Sequence, residues 1–249
     1  MRLNIYKNYQ ELSAQTANEI ISLVKNKPDA VLCLATGDSP RLAYKLMVEK
    51  VINEKLDFSR CSFIGLDEWV GIPPTSDGTC RYFLENIIFN PLKIAPGQIH
   101  LFDALSNDLE KECDSMNKTI VNKGGIDLMI VGVGMNGHVG FNEPGVSISK
   151  NAHVIELDEI TQTVGQKYFS GPVAIKKGIT LGLNQFLQAK EAIMMASGSK
   201  KAAVMQKALE EEININMPAS IVRKHANGIV MLDEDAASLL KTADMAQKK

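Results

Sequence analysis

Ile126-Asp127-Leu128-Met129-Ile130-Val131 runs directly into Gly132-Val133-Gly134-Met135-Asn136-Gly137-His138-Val139-Gly140-Phe141-Asn142-Glu143-Pro144. The first six residues are a short, largely apolar run, long enough for a buried strand and too short for a helix. Glycines at 132, 134, 137 and 140 and a proline at 144 prevent any regular element from continuing through the second half. One His, two Asn and one Glu are set into that turn. A buried strand that delivers polar side chains onto such a loop is a common build for a site in an α/β protein.

Two other readings compete. Gly132 to Gly137 satisfies G-x-G-x-x-G, and Glu156 lies at roughly the distance of the acidic partner in a dinucleotide fold. The context does not fit, because the third glycine should open a helix, yet Gly140, Pro144 and Gly145 come next. A purely structural turn is the second reading. Small residues would fill such a turn without His138 and Glu143.

Bulk composition narrows the class. The 249 residues suffice for one α/β domain able to bury about three quarters of its unfolded surface. Hydrophobic residues make up 45% and charged residues 22%, as in an ordinary globular protein. Lys and Arg number 27 against 29 Asp and Glu, a net charge of −2, so no basic excess favours nucleic acid or an anionic membrane. Cys33, Cys61, Cys80 and Cys113 are scattered without a C-x-x-C pair, which reads as reduced thiols and not as a metal site. The first residues lack a signal-peptide core and no stretch reaches membrane-spanning length, so a cytoplasmic protein is expected.

Outward from the central stretch, strand and helix alternate. Leu3 to Tyr6 reads as a strand and residues 9–26 as a helix ended by Lys27-Pro28-Asp29. Ala30 to Ala35 is a strand covered on both faces, and Thr36-Gly37-Asp38-Ser39-Pro40 leads it into a helix. Free N–H groups and the dipole at such a helix start favour an anion, although Asp38 is itself negative. The competing reading is a plain cap at Ser39 with Pro40 first in the helix. Ser62 to Leu66 is a strand ending in Asp67-Glu68-Trp69. Two carboxylates at the end of a buried strand are costly unless used. The alternative is a capping Asp67 beside a solvated Glu68. Gln98 to Phe102 reads as a strand and Asp108 to Val121 as a helix. Ala192 to Ala196 is a further strand, followed by Ser197-Gly198-Ser199-Lys200-Lys201 and a second helix start with a lysine pair. Ile229 to Leu232 is the last strand, Asp233 caps a short helix, and the lysine-bearing tail is expected to be disordered. The alternation predicts a single domain over residues 1–249, with one doubly wound, mostly parallel, Rossmann-like sheet flanked by helices. The site is expected at the C-terminal strand ends.

Leu34-Ala-Thr-Gly-Asp-Ser-Pro40, Leu66-Asp-Glu-Trp-Val-Gly71, the segment from Gly132 to Pro144 and Gly198-Ser-Lys-Lys201 together resemble the glucosamine-6-phosphate deaminase/isomerase family, in order and across nearly the whole chain. Leu66-Asp67-Glu68-Trp69 with Gly78-Thr79-Cys80 resembles the galactosamine-6-phosphate isomerase branch. The resemblance implies conversion of a hexosamine 6-phosphate into a ketose 6-phosphate and ammonia, without metal or redox cofactor. It implies a small sugar phosphate as partner, and leaves a homo-oligomer open. By position, Asp67 is the base that moves a proton from C2 to C1. His138 assists ring opening, oriented by Glu143 and Asn136, the latter standing where many members carry Asp and accepting from the imidazole N–H. Thr36, Gly37, Asp38, Ser39, Glu68, Gly134, Lys167 and Lys201 are the residues expected around sugar and phosphate. Lys167 stands where many relatives have Arg, which removes a bidentate fork. Activated members carry basic residues after Asn-Glu-Pro. His153, Ile155 and Glu156 hold no Arg or Lys, which implies no activation by an N-acetylated sugar phosphate. The related 6-phosphogluconolactonases, with a similar turn, and a non-enzymatic sugar-phosphate sensor are the alternatives. Asn142-Glu143-Pro144 favours the isomerase.

Overall fold

The computed structural model describes residues 1–241 and the backbone of Gln247 and Lys248. In chain order the elements are β1 (Arg2–Tyr6), α1 (Tyr9–Asn26), β2 (Val31–Leu34), α2 (Asp38–Asn53), β3 (Ser62–Gly65) and β4 (Asp67–Trp69). Next come α3 (Cys80–Leu84), a π-helical turn Glu85–Phe89, α4 (Asn90–Leu92), β5 (Ile99–His100), α5 (Leu109–Asn122), β6 (Leu128–Gly132) and β7 (His153–Glu156). The rest are α6 (Glu159–Gly165), β8 (Lys177–Thr180), α7 (Leu183–Gln188), β9 (Glu191–Ala196), α8 (Ala202–Glu210), β10 (Gly228–Asp233), α9 (Glu234–Ala237) and β11 (Gln247–Lys248).

Among the described residues, eight strands form a parallel sheet in the order β11-β1-β10-β9-β6-β2-β3-β5. Alternation along each strand sends successive side chains to opposite faces. Val31, Cys33, Met129, Val131 and Met194 pack on one face with Met116 and Ile120 of α5, Phe186 of α7 and Met205 of α8. Leu32, Leu34, Leu128, Ile130 and Ile193 pack on the other with Ile20 of α1 and Tyr44 and Met47 of α2. Apolar cover on both sides is why these strands read as unbroken hydrophobic runs.

From β2 the chain winds outward through β3 and β5, then returns to lay β6 on the other side of β2. The strand order therefore reverses between β2 and β6, where a doubly wound sheet opens its crevice. The turns after β9, β6, β2 and β3 stand side by side there.

Two differences from the expectation stand out. The single sheet is joined by a second, antiparallel one, β4-β8-β7. Ile179 of β8 and Val154 of β7 stay with the main core, while Trp69 of β4 anchors a small separate cluster in which it meets Phe141 tilted and Phe169 edge-to-face. The strand expected over 98–102 pairs only at Ile99–His100. The tail expected to be disordered lies, at 242–246 and 249, outside the described residues, whereas Gln247 and Lys248 extend the sheet beside β1. Among the described residues no helix is long and apolar enough to cross a membrane.

Candidate active site

The turns at the reversal point enclose a cavity of about 580 Å³. One end gathers groups that favour an anion. Helix α2 starts at Asp38, with Gly37 as its N-cap at φ 100° and no side chain capping it. Its first-turn N–H groups are therefore unclaimed by a cap and carry the positive end of a 16-residue helix. Ser39 lies inside that first turn and does not cap it. The Gly37 conformation suits glycine, and a Cβ there would stand 3.1 Å from the Tyr168 hydroxyl. Lys200 and Lys201, from the turn after β9, line the same end with Ser197. Lys201 donates to the Val133 carbonyl at 2.6 Å. Burial, with the charge of Lys167 adding to it, brings its ammonium pKa down to about 8. Lys167 pairs with Asp38 at 2.7 Å, both half exposed or more at the cavity mouth. An ion pair so wet is worth at most about 1 kcal/mol, so an arriving dianion can displace it.

Asp67, the first residue of β4, lines the middle of the cavity. Burial pushes its carboxyl up to about 7, against a lowering contact from Cys80. Glu68 points the other way along the alternating strand. Its carboxylate accepts from the backbone N–H groups of Trp69, Cys80 and Arg81 at 2.9, 3.0 and 2.8 Å. Glu68 is thus spent on the start of α3 and does not line the cavity.

The turn after β6 carries the other polar group. A Cβ on Gly134 would sit 2.3 Å from the His138 ring, so only glycine lets the imidazole fold back over the turn. Gly137, at φ 86°, lies against Met217 in the same way. Glu143 is buried, and burial alone would raise its pKa. The contacts of His138, Thr161 and Asn136 outweigh that and hold it below the usual carboxylate range. Asn136 Nδ2 donates to Glu143 Oε2 at 2.8 Å, and the Asp158 N–H reaches Oε1 at 3.3 Å. His138 Nδ1 is 3.5 Å from Glu143 Oε2 and 3.0 Å from Thr161 Oγ1. Because the ionised carboxylate only accepts, Nδ1 carries the proton of a neutral ring and Nε2 presents its lone pair.

The sequence pattern of the family described as glucosamine-6-phosphate isomerases/6-phosphogluconolactonase matches residues 7–231. A glucosamine-6-phosphate deaminase of Clostridium botulinum (strain Langeland) is 38% identical over 242 residues, covering 97% of this chain and 99% of the relative. The chain belongs to the glucosamine-6-phosphate isomerase/6-phosphogluconolactonase family. A solved structure of a monomeric glucosamine-6-phosphate deaminase superposes with a TM-score of 0.92 at 32% identity, covering 96% of this chain and all of that one. A 6-phosphogluconolactonase of Trypanosoma brucei superposes at 0.78 with 18% identity over 95% of this chain and 97% of its own, which is a likeness of fold alone.

Within this family fold, Thr36, Gly37, Asp38, Ser39, Asp67, Gly134, His138, Lys167 and Lys201 line one cavity. Asn136 and Glu143 stand behind it. Two expectations are corrected. Glu68 anchors backbone and is unavailable to a sugar. Asn136 does not accept from the imidazole: its Oδ1 takes the backbone N–H of His138 at 3.2 Å, and its amide orients Glu143. Thr161, Cys80, Lys200 and Tyr168 also line the cavity. Thr161 sits in a polar segment that no motif marks. Only the fold brings it to His138, 23 residues away in sequence.

Proposed function

We propose that the chain is a hexosamine-6-phosphate deaminase that also isomerises the sugar, releasing ammonia and a ketose 6-phosphate. One observation carries this reading. A carboxyl raised to about 7 and an imidazole backed by an ionised glutamate line the same cavity as an uncapped helix start with two lysines. Phosphate at the α2 start, with Thr36, Ser39, Lys201 and a displaced Lys167, fixes the distant end of the sugar. That turns an encounter into an oriented reaction. His138 Nε2 takes the proton of the anomeric hydroxyl and returns it to the ring oxygen, which opens the ring. Asp67, as the carboxylate, then takes the C2 proton while the substrate's own ammonium passes a proton to O1, leaving an enolamine, and Asp67 delivers its proton to C1. Water adds to the resulting C2 iminium, ammonia leaves, and the ketose remains.

A pKa near the operating pH maximises the product of the deprotonated fraction and the driving force for proton transfer, which favours Asp67 over an ordinary aspartate. The similarity to glucosamine-6-phosphate deaminases does not distinguish the galactosamine branch that Trp69 and Cys80 suggest. Purified protein assayed side by side on glucosamine 6-phosphate, galactosamine 6-phosphate and the unphosphorylated sugars is expected to release ammonia from a phosphorylated sugar only. Equal kcat/KM with and without phosphate removes the anion-site reading. Hydrolysis of 6-phosphogluconolactone without ammonia release makes it a lactonase.

A further inference from the structure

Cys80 bridges the anion end of the cavity and Asp67. It is the first residue of α3 and is buried. Thr36 Oγ1 donates to its Sγ at 3.1 Å, and its thiol donates to Asp67 Oδ1 at 3.3 Å. Among the described residues no other side chain hydrogen-bonds the Asp67 carboxyl. The backbone of Cys80 is itself held by Glu68, so the carboxylate next to Asp67 in sequence fixes the residue that touches Asp67.

We propose that Cys80 is a positioning residue for Asp67, holding Oδ1 through its S–H and setting the proton affinity of the carboxyl as a deliberately weak donor. This rests on Asp67 being the base of the proposed reaction. A donor to the ionised form lowers a carboxyl pKa, and a thiol is among the weakest donors available. A hydroxyl in its place would hold the carboxylate more tightly and make a poorer base. Burial, reinforced by the charges of Asp67 and Glu68, pushes the Cys80 thiol well above its ordinary range, so it stays S–H and does not become a nucleophile. The other titratable groups facing Asp67 are Glu68, Cys33 of β2 and Tyr44 of α2, the last two kept neutral by burial. His138 and Lys201 line the same cavity. Since Thr36 belongs to the anion turn, one thiol joins the phosphate subsite to the base.

The test is a carbon-13 NMR titration of the Asp67 carboxyl in the full chain as wild type, Cys80→Ser and Cys80→Ala, paired with pH profiles of kcat/KM. Cys80→Ser is expected to lower the Asp67 midpoint by about half a unit or more, and Cys80→Ala to raise it comparably. The acid limb of kcat/KM should move with each. If Cys80→Ala fails to fold, Cys80→Ser alone decides, because it changes one atom. Coincident midpoints for wild type and Cys80→Ser overturn the proposal, as do shifted midpoints with an unmoved acid limb. The NMR midpoints need no turnover. Shifted midpoints in a protein that releases no ammonia would therefore uphold the thiol contact and sink the functional reading instead.

Discussion

Replacing Thr161 with Val tests how α6 enters the chemistry. The hydroxyl sits 3.0 Å from His138 Nδ1, closer than Glu143 Oε2 at 3.5 Å, and its nearness helps hold that carboxylate ionised. It accepts from the imidazole N–H, so part of the support for a forming imidazolium comes through Thr161. Valine keeps the shape and removes that bond. A hydrogen bond to a charged group is worth about 1.5–3 kcal/mol. If that is lost where the ring becomes charged, kcat falls about 10- to 150-fold. KM should change little, because the anion end is untouched. Steady-state ammonia release by wild type, Thr161→Val and Thr161→Ser measures it, serine restoring most of the rate. A Thr161→Val enzyme with kcat within twofold of wild type refutes this support and leaves Glu143 acting directly.

Other expectations rest on the same contacts. Asp67 is raised in the fold above its unfolded value, so its contribution to stability is full below about pH 4 and is lost as pH rises through about 7. Asp67→Asn should therefore melt higher than wild type at pH 8, with the gap closing toward pH 5. An equal Tm difference at both pH values shows that ionisation is not the cause. Gly134→Ala places a methyl 2.3 Å from the His138 ring. It should cost activity far beyond any loss of fold seen by circular dichroism, and a fully active variant shows that the ring does not need this close approach. N-acetylglucosamine 6-phosphate should not activate the enzyme, since His153 is buried against the Asn151 carbonyl and Glu156 is paired with Lys177. A rate curve altered by that compound contradicts this.

Much of the fold was legible because parallel strands covered on both faces leave continuous apolar runs, as in Val31–Leu34 and at 192–196. Helix α1 spans 9–26 as expected because Asn8 caps it and Lys27-Pro28 ends it. The second sheet was not legible. Asp67–Trp69 is three residues long, and the strand it pairs with, β8, begins only at Lys177 with β7 on its far side, so no local period betrays the pairing. The cavity residues could be read where a turn follows a buried strand, as at 36–39 and 132–143. Glu68 misled because a carboxylate beside the base looks like a contact for the sugar, and only the fold brings three amides to claim it. Thr161 carries no pattern of its own, and Cys80 enters the sequence reading only through the branch resemblance, with no role attached. A hydroxyl and a thiol become functional only through the groups the chain folds against them.

Proton transfer by Asp67 is the step on which the proposed reaction stands. Hexosamine 6-phosphate turned over in deuterium oxide reports it directly, through label appearing at C1 of the ketose product and at C2 of recovered substrate. Wild type should incorporate deuterium, with kcat/KM falling below about pH 7 as Asp67 protonates. Asp67→Asn should lose both incorporation and ammonia release by about 10²-fold or more, with KM little changed. Wild-type incorporation by the asparagine variant would contradict the assignment.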